Sequence, residues 1–159
     1  MDQSTKQAFT RRITTSNASE LIVVLYDIFF TYTDDAKKAF EECGTVNESV
    51  KESIRHATKV LRHLKDDLDF KYEISKNLFS IYDFCERSLT SCLYKRDREG
   101  ILIAERLMKK LYGSFLEVAK QDKSAPLMKN TQKMAAGLTY GRNDVIETIL
   151  MNPSRGYLA

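Results

Sequence analysis

The first proline in this chain is Pro126 and the second is Pro153, so residues 1–125 lack the residue that most strongly interrupts a helix. Punctuation within that stretch is sparse. Cys43-Gly44-Thr45 is one break, because glycine closes a helix in the left-handed conformation and Thr45 with Glu48 can open the next one. Asp69-Phe70-Lys71 and Lys95-Arg96-Asp97-Arg98 supply two more. These breaks predict four helices, over about residues 18–42, 47–68, 72–94 and 97–121.

The first of them opens on Asn17-Ala18-Ser19-Glu20, in which Asn17 can accept from a free amide and Glu20 can reach back to the cap. Residues 21–30 then read Leu-Ile-Val-Val-Leu-Tyr-Asp-Ile-Phe-Phe, with Asp27 the single charge. At 100° per residue, Leu21, Leu25, Ile28, Tyr32, Ala36 and Ala39 make one apolar stripe. Ile22, Tyr26, Phe29, Thr33 and Phe40 make a second stripe beside it. A helix apolar over more than half its circumference is either central to its fold or seats a partner.

The second helix carries Val50, Ile54, Ala57, Leu61, Leu64 and Leu68 at alternating spacings of four and three. The third carries Ile74, Leu78, Ile81, Cys85, Leu89 and Cys92, and the fourth Ile101, Ala104, Met108, Leu111, Phe115 and Val118. Such stripes joined by short connections predict an all-α fold, an antiparallel up-down-up-down four-helix bundle over residues 1–121, with residues 1–17 as an N-terminal cap segment. Residues 122–159 hold both prolines and three of the six glycines and read as a C-terminal tail. Within it, Asn143 or Asp144 can cap a short helix bearing Val145, Ile146, Ile149 and Leu150, which needs a surface to lie on.

Charge narrows the partner classes. Residues 1–119 hold nineteen basic and nineteen acidic side chains, so the net +3 lies beyond them, and Arg11-Arg12, Lys95-Arg96 and Lys109-Lys110 are scattered pairs rather than a nucleic-acid stripe. No apolar run approaches the roughly 18 residues of a membrane-spanning helix, and residues 1–6 have no secretory h-region. The expectation is a cytoplasmic protein with no nucleic acid bound and no direct membrane insertion. Cys43, Cys85 and Cys92 lack metal or redox spacing and read as buried free thiols.

Enzymatic chemistry finds little support. His56 and His63 lie on one helix face with Glu52 and Asp67 four residues away, but two turns separate the imidazoles, so neither a metal site nor a cofactor is expected. His56-Ala57-Thr58-Lys59 is similar to the start of the histidine phosphotransfer motif His-x-x-Lys-Gly. Val60 stands where that motif has its glycine. Phosphotransfer through His56 is therefore the alternative function rather than the leading one.

The leading one comes from a resemblance. Glu20-Leu21-Ile22-Val23-Val24-Leu25-Tyr26-Asp27, the related Asn77-Leu78-Phe79-Ser80-Ile81-Tyr82-Asp83-Phe84, and the preceding Ile13-Thr14-Thr15-Ser16-Asn17-Ala18-Ser19 resemble the flagellar chaperone FliS family across about residues 8–120. The resemblance implies a non-enzymatic cytoplasmic chaperone that binds the C-terminal region of flagellin, prevents premature polymerisation and passes its client to the flagellar type III export gate. Phe9 stands near the position where that family has a capping Tyr, and Ile28 replaces a glycine that often follows Leu-Tyr. The candidate partner-binding residues are Phe9 and Ile13 in the lead, Ile22, Tyr26 and Phe29 on the second stripe, Tyr82, and Ile103 with Leu107.

Overall fold

Asn17 accepts from the Glu20 amide at 2.8 Å while the Glu20 carboxylate accepts from the Asn17 amide at 3.0 Å, closing the capping box foreseen from sequence. The helix that follows ends where Gly44 turns left-handed at φ 66°, also as expected. In the computed structural model, which describes residues 1–128, the helices are α1 (Gln3–Thr15), α2 (Ala18–Cys43), α3 (Glu48–Asp66), α4 (Glu73–Lys95) and α5 (Glu99–Gln121). There is no strand among the described residues. The cap of α3 differs from expectation: Asn47 accepts from the Val50 amide at 2.8 Å, and Thr45 lies outside the helix.

α2 packs against α3 and α5, α4 packs against the same two helices, and α1 lies on α2. α2 therefore has neighbours on three sides. Both of its stripes are used, with Leu25, Ile28, Tyr32, Ala36 and Ala39 buried on one, and Tyr26, Phe29 and Thr33 on the other. Across the α2–α5 seam Lys37 bonds Glu105 at 2.7 Å, and between α3 and α4 Glu86 meets Arg62 at 2.8 Å and Lys65 at 2.5 Å. Against the cost of burial, Lys109 and Lys37 hold the Glu105 carboxyl below its usual range, and Lys65 and Arg62 do the same for Glu86.

Two expected core positions lie in solvent. Ile74 on α4 and Val118 on α5 are exposed, and the buried face of α4 runs through Ser75, Tyr82, Cys85, Leu89 and Cys92. Counting back from Cys92 in alternating threes and fours reaches Tyr82 and Ser75, so the sequence stripe had drifted one residue at Ile81 and Ile74. Cys85 and Cys92 are buried as expected, whereas Cys43 is exposed at the end of α2.

The N-terminal lead is itself a helix. Asp2 caps α1 by accepting from the Thr5 amide at 2.7 Å, and Phe9 and Ile13, one turn apart, bury against α2. A 13-residue helix is marginal alone in water, so α1 depends on that docking. The segment after α5 folds back over the start of α2 through residue 128. The short helix expected over residues 143–150 lies outside the described residues.

Candidate partner-binding site

Asp27, the lone charge in the apolar run, is taken up by α1: Arg12 Nη2 lies 2.6 Å from its Oδ2. This pair and the Phe9 and Ile13 side chains fix α1 along α2. Its last turn, α2 and the end of α5 together line an open groove of about 380 Å³, with Arg12, Ser16, Val23, Val24, Leu116 and Ala119 among its walls. Tyr112 of α5 sits beside Asp27, and burial together with that carboxylate pushes its phenol above the ordinary value.

The expected site residues divide into three groups. Phe9 and Ile13 are 7% and 5% exposed, on the face of α1 turned to the bundle. Tyr26, Phe29 and Tyr82 are core, at 0%, 0% and 1%, so the second stripe of α2 is not the free surface that the sequence suggested. The reason is geometric: Tyr112 and Phe115 of α5 and Tyr82 of α4 pack onto Tyr26 and close that side of α2. Ile22, Ile103 and Leu107 are half-buried and keep part of their surface open to solvent.

Tyr26 and Tyr82 are brought together by their hydroxyls, 2.8 Å apart, with rings edge-on at a centroid distance of 6.5 Å. Burial first, and each other's presence second, raise the Tyr26 phenol far above its ordinary value; burial likewise raises Tyr82. Both hydroxyls stay neutral and share one hydrogen bond. Tyr26→Phe is expected to cost about 1–3 kcal/mol, because the Tyr82 hydroxyl loses its partner in the core, while Tyr26→Phe with Tyr82→Phe costs less than the single change. Urea unfolding of the wild type, Tyr26→Phe and the double variant checks this, and a double variant no more stable than Tyr26→Phe would overturn it.

Sequence reading missed a half-buried aromatic rail along the α2–α5 seam. Phe30 and Tyr112 stand edge to face at 5.5 Å, and Tyr26 reaches Phe115 at 5.4 Å and Tyr112 at 6.1 Å. Of these, Phe115 was already on the Ile101-Ala104-Met108 stripe; the signal for the others was Tyr112, which flanks that stripe, and Phe30, which follows Phe29 off both stripes of α2.

His56 does not project freely. Its ring stacks on Tyr32 at 4.8 Å and 14°, with Nε2 3.7 Å from Glu52, and burial lowers its pKa below the usual value. An imidazole packed in this way is poorly placed for attack on a phosphoryl group. No helix among the described residues is long and apolar enough to cross a membrane.

A family model described as the flagellar protein FliS matches residues 1–122. No individual curated protein matches the chain.

Proposed function

The chain belongs to the FliS family, a family of flagellar export chaperones and not of enzymes, and from that premise we propose that it binds the disordered C-terminal segment of flagellin, keeps it from polymerising early and supports its delivery to the flagellar type III export gate, in the cytoplasm. Phosphotransfer by His56 falls with the family assignment. We read the packed helices as an antiparallel up-down-up-down four-helix bundle, since the connections at residues 44–47, 67–72 and 96–98 are short enough to reverse the chain between neighbours.

The observation that carries the proposal is α1. It is a short amphipathic helix, too short to stand alone, held on an apolar seam by Phe9 and Ile13 and by an ion pair to α2 at each end, the Met1 ammonium on Asp35 and Arg12 on Asp27. A seam that accepts such a helix from its own chain has the shape and chemistry to accept one from a client. Under this reading Phe9 and Ile13 plug the seat, Ile22, Ile103 and Leu107 contact the client with Phe30, Tyr112 and Phe115, and Tyr26, Phe29 and Tyr82 support the seat from below.

The test is calorimetric titration with about the last 40 residues of flagellin, where coupled folding would give a large negative heat-capacity change. Phe9→Ala with Ile13→Ala weakens the plug and is expected to tighten binding several-fold. No binding to the wild-type chain would sink the client assignment, and unchanged affinity in the variant would sink the role of α1 as plug.

A further inference from the structure

Past Gln121 the chain stays on the bundle. Asp122 leaves α5 in an extended conformation, Pro126 biases Ala125 the same way, and the backbone turns across the junction between α1 and α2. Bonds are made to both sides of that junction. On the α2 side, the Ser19 hydroxyl donates to Asp122 Oδ2 at 2.6 Å, and Asn17 Nδ2 donates to the carbonyls of Asp122 at 3.2 Å and Ser124 at 3.4 Å. On the α1 side, the Leu127 amide donates to the Ser16 carbonyl at 3.1 Å. Met128 then packs against the core.

The two hinge residues are themselves buried, Ser16 at 6% and Asn17 at 3%. Ser16 caps the C-terminus of α1, where carbonyls have no partner within the helix, and Leu127 satisfies one of them. Asn17 has a double duty. Its Oδ1 caps α2 and its Nδ2 holds the returning segment, so the residue that starts α2 also fixes the chain that follows α5.

We propose that residues 122–128 form a strap locking the α1–α2 hinge, so that undocking of α1 and release of the segment after α5 are one coupled event. Swinging α1 away moves Ser16 and breaks the Leu127 bond. Freeing the strap leaves the Ser16 carbonyl and Asn17 Nδ2 without protein partners and loosens the seat of α1. Coupling of this kind is reciprocal, so either end can be the one that is pulled. Its use in client loading rests on the reading of α1 as plug. The coupling itself is a property of the unliganded chain.

Hydrogen exchange of the full chain without client tests it in both directions. Ser19→Ala with Leu127→Pro removes one bond on each side of the hinge and is expected to raise exchange in Gln3–Thr15 about tenfold, with α3 and α4 unchanged. Phe9→Ala with Ile13→Ala is expected to raise exchange at the Leu127 amide by a similar factor. Ser19→Ala with Asp122→Ala is the second strap variant, and it leaves the backbone of residue 127 intact. If strap variants free only the strap, or α1 variants free only α1, the coupling is wrong. If both strap variants accelerate all five helices alike, the strap supports the whole bundle and the specific link to α1 is overturned. Adding the flagellin segment to the wild-type chain then separates the two proposals: failure to bind removes the client assignment and leaves the outcome of the exchange experiment standing.

Discussion

Replacing Tyr26 and Phe29 together with alanine is expected to abolish the cooperative thermal transition of the protein. Both side chains are fully buried in α2, the helix that packs against three others. Truncating a large buried aromatic costs about 3–5 kcal/mol, and two such losses approach or exceed the roughly 5–15 kcal/mol by which a domain of this size is stable. Circular dichroism on heating is the measurement. A variant that melts near the wild-type temperature would return these residues to the surface and reopen them as direct client contacts. Ile22→Ala with Leu107→Ala makes the contrast: both positions are half-buried, so this variant is expected to keep its fold and lose affinity for the flagellin segment.

Gly100→Ala is expected to be among the most damaging single methyl additions in the described chain. A Cβ built on Gly100 would stand 2.0 Å from the Ser88 carbonyl oxygen and 2.7 Å from Cys92 Sγ. The first of these atoms belongs to the backbone of α4, so no side-chain rotation relieves the clash and α5 must move off α4. Overpacking of this kind costs about 3 kcal/mol or more when backbone has to shift. Gly113→Ala is the control, since nothing lies within 4 Å of its added carbon. There, the change is expected to stabilise by up to about 1 kcal/mol through helix propensity. Equal denaturation midpoints for the two variants would show that the α4–α5 contact is looser than the distances state.

Much of the scaffold was legible in the sequence because caps and periodicity act locally. Asn17 with Glu20, Gly44, and the stripes from Val50 to Leu64 and from Ile101 to Met108 each reflect a rule that operates within two turns of helix. What escaped was set by neighbours. Asp27 reads as an isolated charge until Arg12 is placed beside it from fifteen residues away, and the lead reads only as a cap segment until Phe9 and Ile13 have α2 to lie on. Tyr26 and Phe29 show the same limit from the other side. Periodicity identified them as apolar, but whether an apolar stripe meets solvent, a partner or another helix depends on where α5 returns. The strap was invisible for a similar reason, since Ser19, Asp122 and Leu127 are ordinary polar and apolar residues until the end of α5 and the start of α2 are brought together.

The placement of the three thiols decides how the folded chain meets oxidants and alkylating reagents. Burial pushes the Cys85 thiol up to about 12 and raises that of Cys92 as well, and a thiol held in its protonated form inside a helical interior is a poor nucleophile. Cys43 alone is exposed, at the end of α2. Of the three sulfurs, it is therefore the one through which a dye, a crosslinker or a second molecule of the chain can be attached without opening the fold, at a point separated by most of the length of α2 from the hinge at Ser16 and Asn17.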